Sequence, residues 1–176
     1  MNSSPSQSLP ELTTHTTSRL AVETEGLAKT YPGGIQALKG VNISVRPGTV
    51  FALLGPNGAG KSTTVKILTT LSRPTAGRAS IAGYDVVREP GRVRRVIGVV
   101  AQQSAVDLEA TTAENLTLQG QIYGMSGADL RRRVDSLLAR FDLTDARKRI
   151  ARTLSGGMRR KLDVAMGLIH QPQRTG

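Results

Sequence analysis

Gly55-Pro56-Asn57-Gly58-Ala59-Gly60-Lys61-Ser62 fits the pattern G-x-x-x-x-G-K-[ST] at every fixed position. That pattern belongs to loops that wrap a phosphate chain. Gly55, Gly58 and Gly60 let the backbone turn tightly, so that consecutive amide NH groups point at phosphate oxygens, and the following helix adds the positive end of its dipole. Lys61 supplies a full charge for the outer phosphates. Ser62 places a hydroxyl where Mg²⁺ bridging those phosphates finds the oxygen ligand it prefers. The flanks agree, because residues 50–54 are a short apolar run that reads as a strand, and residues 62–71 read as a helix burying Val65, Leu68 and Leu71. The chain therefore reads as a nucleotide-binding protein.

Composition bounds the rest. A chain of 176 residues that is 38% hydrophobic suits one domain with its own core. It contains no cysteine, which removes disulfides and thiolate metal sites. No run approaches the length of a membrane span and no signal core opens the chain, so a cytoplasmic location is expected. The net charge of +11 is concentrated late: residues 126–176 hold 12 Lys or Arg against 5 acids, or +7. Such a surface suits nucleic acid or an anionic membrane leaflet. With 3% aromatic residues and no Trp there is little to stack on bases, so no specific nucleic-acid partner is expected.

Taken in order, residues 1–19 are polar, Ser- and Thr-rich and without periodicity, as in a mobile tail. Leu20, Val22 and Thr24 then alternate with polar neighbours in the manner of a half-buried strand, and Val41, Ile43 and Val45 do the same. The turn-rich stretch between them, Lys29-Thr30-Tyr31-Pro32-Gly33-Gly34, holds Tyr31 where its ring could stack on a flat base or pack at the sheet edge. Two short strands are expected about Gly83, and an apolar strand over residues 97–100 leads into Ala101-Gln102-Gln103. A polar amide at a strand's carboxyl end is placed to reach a ligand. From Thr111 the chain turns helical: Thr112 opens one segment, Ser126-Gly127-Ala128-Asp129 resembles a capping box, and Leu130, Val134, Leu137, Leu138 and Phe141 form one stripe. Arg131, Arg132, Asp135 and Arg140 lie off the stripe, as on a solvated face. Leu154-Ser155-Gly156-Gly157-Met158 follows, 94 positions after Lys61 at Ser155, with Ser155 as N-cap of a helix burying Leu162, Ala165, Met166 and Ile169. Its amides, hydroxyl and dipole end make a second potential anion site.

Tyr31, Gly55 to Thr63, Gln102 and Leu154 to Met158, in this order and spacing, resemble the ATP-binding domain of ABC transporters. Gly55-Pro56-Asn57-Gly58-Ala59-Gly60-Lys61-Ser62-Thr63-Thr64 and Ser155-Gly156-Gly157-Met158-Arg159-Arg160-Lys161-Leu162-Asp163 look like the daunorubicin-type multidrug resistance exporters. The resemblance implies an α/β fold: a P-loop NTPase (RecA-like) core over residues 20–103 with an N-terminal antiparallel β part. A helical subdomain over residues 104–153 and the signature with its helix over residues 154–171 complete it. It further implies that Tyr31 stacks on adenine, that Gly55, Pro56, Asn57, Gly58, Ala59, Gly60, Lys61, Ser62 and Thr63 hold the triphosphate, and that Ser62 and Gln102 serve Mg²⁺. Gln102, with Gln103 as the alternative, would sense metal or attacking water. Ser155, Gly156 and Gly157 would touch ATP bound to a second copy, two chains closing head to tail as a homodimer. The subunit would sit on the inner face of the membrane through a separate permease and drive export of a drug or lipid-like substrate.

The resemblance also implies a strand ending in an aspartate and a glutamate after the signature helix, and later a histidine. Here the sequence reads His170-Gln171-Pro172-Gln173-Arg174-Thr175-Gly176, so a truncated or frameshifted chain is expected, incomplete at the C-terminus and without useful hydrolysis of its own. Asp163 and His170 belong to the signature helix and are not substitutes. Two other readings share these motifs: an ATPase of translation or DNA repair, and a nucleotide-binding module without turnover.

Overall fold

The computed structural model describes residues 20–170. The expected tail over residues 1–19 and the closing residues 171–176 lie outside that range. Strand β1 (Val22–Tyr31) and strand β2 (Ile35–Val45) form an antiparallel hairpin across Pro32, Gly33 and Gly34, closed by the Gly34 N–H donating to the Tyr31 carbonyl at 3.2 Å. Lys29, Thr30 and Tyr31 thus belong to the strand and not to the connection expected from sequence. The cause is a bulge. Pairing shifts register between Thr24 and Leu27, with Gly26 at φ 55° donating its N–H to Asn42 Oδ1 at 2.6 Å. One extra residue flips the inward parity, so Thr24 and then Leu27 are buried and the strand runs on.

Strand β3 (Ala76–Ile81) pairs with the other side of β1, and β4 (Tyr84–Asp85) returns across the turn at Gly83, as expected. The sheet order is β2-β1-β3-β4, antiparallel throughout. Helices α1 (Lys61–Leu68) and α2 (Pro90–Val96) contribute to one core, in which Leu27, Leu38, Ile67, Ala79, Ile81, Val86 and Val93 are buried. The buried side of α1 is Thr64 and Ile67, not the Val65, Leu68 and Leu71 expected. Val65 is 49% exposed, Leu68 packs only at the margin, and Leu71 lies beyond the helix end, where Thr70 turns the chain at φ 64°.

The expected strands at residues 50–54 and 97–100 are not formed: neither segment has a ladder, and Val50, Phe51, Leu54 and Val99 are exposed. Apolar composition signals a strand's tendency, but a strand exists only through a hydrogen-bonded neighbour. Among the described residues neither segment has one.

The second core is helical. Helices α3 (Thr112–Ile122), α4 (Gly127–Arg140) and α5 (Gly156–Gly167) enclose Leu116, Leu130, Val134, Leu137, Leu138, Leu162, Ala165, Met166 and Ile169. The stripes read for α4 and α5 are the buried ones, except that Phe141 is only partly covered. Each fully buried Leu or Ile is worth about 1.5–3 kcal/mol of burial, which dominates the surface ion pairs Asp129–Arg132 and Asp135–Arg147. Two caps differ from expectation. Helix α3 is capped by Thr111, not Thr112, in a capping box with Glu114, whose carboxylate the Thr111 N–H holds below its ordinary pKa. The Ser126 box is not formed: Ser126 makes no side-chain cap bond, and Asp129 pairs with Arg132.

His170 ties the end of the α5 region to residue 97. Its Nε2 donates to the Ile97 carbonyl at 2.8 Å, and its ring stacks on Tyr123 with centroids 3.9 Å apart. Burial pushes the imidazole pKa down, the Ile97 bond opposes this, and Arg133 adds to the lowering. The folded chain thus favours neutral His170, so this contribution is complete above the ordinary value of about 6.5 and is lost as pH falls through and below it. Thermal unfolding followed from about pH 8 to about pH 5.5 should show a falling midpoint, and His170→Phe, which keeps the stack, should remove part of that fall.

Candidate nucleotide site

Helix α1 starts at Lys61 behind Gly60, which sits at φ 83°. A Cβ at Gly60 would stand 2.5 Å from the Ala37 carbonyl and 2.5 Å from Leu38 Cδ2, so the loop is seated against β2 in a place only glycine fits. The Ala59 N–H closes the turn on the Pro56 carbonyl at 3.2 Å. Lys61 Nζ donates to the Gly55 and Pro56 carbonyls, each at 2.6 Å. The ammonium is thereby parked on two neutral acceptors at the mouth of the loop, and a phosphate carrying full negative charge is the stronger acceptor for it. This arrangement fits a phosphate chain.

The hydroxyls of the first turn divide by burial. Thr64 is buried and donates back to the Gly60 carbonyl at 3.1 Å, which makes it part of the helix. Ser62 is exposed beside the loop. Tyr31, at the end of β1, lies by the same turn: the neighbouring Thr63 side chain, helped by the charges of Lys66 and Lys29, holds its phenol below the ordinary value. Lys29 Nζ also lies 5.2 Å from the Tyr31 ring centroid. The structure thus brings Tyr31 and the phosphate loop together.

Gln102, Ser155, Gly156 and Gly157 form a second group. Ser155 caps α5, its Oγ accepting from the Met158 N–H at 3.2 Å, as read from sequence. Gly156 and Gly157 follow, exposed in the first turn. Gln102 lines a groove of about 380 Å³ with Gly156, Arg159, Arg160 and Asp163, and the groove lining includes Gln102 but not Gln103. Sequence reasoning missed Arg160 and Asp163, which hold this region together. Arg160 Nη1 donates to the Ala101 carbonyl at 3.1 Å, and Asp163 Oδ1 accepts from the Ala105 N–H at 3.1 Å. The signal was present: Asp163 is a carboxylate on the buried face of an amphipathic helix, between Leu162 and Ala165.

Among the described residues no three His, Cys, Asp or Glu side chains gather as a metal cluster. No described helix is long and apolar enough to cross a membrane.

Known proteins resemble this chain in sequence and in fold. A family profile described as ABC transporter matches residues 38–174. The "Doxorubicin resistance ATP-binding protein DrrA" of Mycobacterium tuberculosis is 54% identical over 155 residues, covering 88% of this chain and 47% of that protein. The "Daunorubicin/doxorubicin resistance ATP-binding protein DrrA" of Streptomyces peucetius is 47% identical over 152 residues, 86% of this chain and 46% of that protein. The chain spans about half the length of these curated relatives. Among solved structures, cbiO1 from Clostridium perfringens, part of the complex cbiONQ, superposes with a TM-score of 0.78 at 28% identity, covering 88% of this chain and 63% of that one. A dimeric, post-hydrolysis ATP-binding cassette, MJ0796 bound to ADP and Pi, gives 0.73 at 31% identity, covering 86% and 70%. Profile, sequence relatives and superposition agree on one conclusion, that the chain belongs to the ABC transporter family and carries its P-loop NTPase fold.

Proposed function

We propose that these residues form the nucleotide-holding part of an exporter's ATP-binding subunit, taking ATP with Mg²⁺ and working through a separate permease on a drug or lipid-like substrate. The observation that carries this is the phosphate loop with Lys61 poised on two neutral carbonyls beside Tyr31. Gly55, Pro56, Asn57, Gly58, Ala59 and Gly60 wrap the phosphates, Lys61 neutralises them, and Ser62 and Thr63 open the helix beneath them. Bound Mg²⁺ supplies charge neutralisation across the outer phosphates. Ser62 and Gln102 would be its protein ligands. Ser155, Gly156 and Gly157 close on the nucleotide of a second copy, head to tail. The names of the relatives, which concern doxorubicin and daunorubicin resistance, support export as the direction. A neighbouring reading frame for a multi-span permease would add to that support.

ATP titration tests the site at Tyr31. Tyr31→Ala should weaken binding by roughly 1–3 kcal/mol through loss of the stacking ring. Tyr31→Phe should lose much less, because the ring that stacks is kept. Equal losses for Ala and Phe would put the hydroxyl, not the ring, at the nucleotide.

We further propose that the 176 residues alone bind ATP without useful turnover. The two side chains considered as substitutes have backbone partners: Asp163 Oδ1 accepts from the Ala105 N–H, and His170 Nε2 donates to the Ile97 carbonyl.

A further inference from the structure

Residues 101–105 carry Gln102 on an exposed stretch with no ladder of its own. Both ends of that stretch are nevertheless fastened, and to the same helix. Arg160 donates to the carbonyl of Ala101 at 3.1 Å, and Asp163 accepts from the N–H of Ala105 at 3.1 Å. The two side chains stand three residues apart on α5, on one flank of the helix. Asp163 is 8% exposed, so its bond is made where water competes poorly and is the firmer of the two. The same helix begins, about one turn earlier, at Ser155, Gly156 and Gly157.

We infer that Arg160 and Asp163 are positioning residues that fasten the Gln102 segment to α5, so that Gln102 and the Ser155–Gly156–Gly157 turn move as one body. The inference rests on the reading of these residues given above. Gln102 serves the nucleotide of its own chain, whereas the Ser155 turn serves that of a second copy. A displacement of α5 on closure over one ATP is therefore delivered directly to the group that senses the other. Neither Arg160 nor Asp163 touches nucleotide in this scheme. Their effect is on where Gln102 can be.

The absence of cysteine makes a direct test practical. Spin labels are placed at Gln103→Cys and Gly156→Cys, the latter a position where an added Cβ meets nothing within 4 Å. The distance distribution is measured on the whole 176-residue chain without nucleotide. One narrow distribution is expected, broadened by Arg160→Ala and by Asp163→Ala, and kept narrow by Asp163→Asn, which retains the acceptor oxygen. In parallel, the Ala105 amide should exchange roughly tenfold faster in Asp163→Ala and near the parent rate in Asp163→Asn. Should Asp163→Ala unfold, Arg160→Ala decides the matter, since Arg160 is exposed and its loss leaves the core intact. A distribution as narrow in Arg160→Ala as in the parent overturns the inference, and so does an Asp163→Asn chain as broad as Asp163→Ala. Because nucleotide is absent, these results stand apart from ATP binding. A chain that shows the fastening and binds no ATP would instead overturn the proposed function.

Discussion

Lys61→Ala should abolish measurable ATP binding while the chain stays folded. Lys61 is the one cation that the loop itself presents, held by the Gly55 and Pro56 carbonyls at 2.6 Å. Its contacts in the structure are to the loop's own backbone, so removing it withdraws no partner from the two cores. Charge-assisted bonds to phosphate are about twice as strong as neutral ones, and losing them should cost roughly a hundredfold or more in affinity. Lys61→Arg should not restore binding, since the planar guanidinium is larger than the ammonium and does not fit a cradle made for a point charge. Titration with a fluorescent ATP analogue, with circular dichroism to check folding, measures both. Unchanged affinity in folded Lys61→Ala would show that the nucleotide sits elsewhere.

How much of this was legible in the sequence depends on the range of the interaction. The phosphate loop was legible because its geometry is local: Gly60 needs a positive φ and a seat against β2, and the sequence shows the glycine. The stripes of α4 and α5 were legible for the same reason, since burial of Leu137, Leu138 and Leu162 follows helical spacing. The caps were legible in part: Ser155 does cap its helix and Thr111 takes the place expected of Thr112, while the box expected at Ser126 is not formed. What escaped was non-local. The Gly26 bulge lengthens β1 through a bond to Asn42, sixteen residues away, which alternation does not show. Residues 50–54 and 97–100 have strand composition, yet strand formation needs a neighbour that composition does not name. Arg160 and Asp163 act on residues nearly sixty positions earlier. Spacing within one helix does not reveal such contacts, although a carboxylate on a buried face marks where to look.

A polypeptide of these 176 residues should bind ATP and show no steady hydrolysis above background. Phosphoryl transfer to water requires the metal fixed on its second side and the attacking water held in line with the leaving oxygen. In the proposed site Ser62 would offer the metal one hydroxyl and Gln102 a neutral amide, and neither is a base. Asp163, nearly buried, accepts from the Ala105 N–H, and His170 is held by the Ile97 carbonyl and the Tyr123 ring. Pairing two copies in the proposed way would not change this, because the Ser155 turn would bring a hydroxyl and amides to the partner's nucleotide but no base. Mixing with a full-length relative gives the sharper measurement. In such a pair the 176-residue chain should contribute its Ser155 turn, and hydrolysis should occur only at the relative's own phosphate loop. Ser155→Ala in the short chain should then lower the rate of the mixture, whereas Lys61→Ala in the short chain should leave hydrolysis at the relative's loop. Steady ATPase activity from the short chain alone, abolished by Lys61→Ala so that a contaminant is excluded, would mean that a base stands closer to the phosphates than these residues provide.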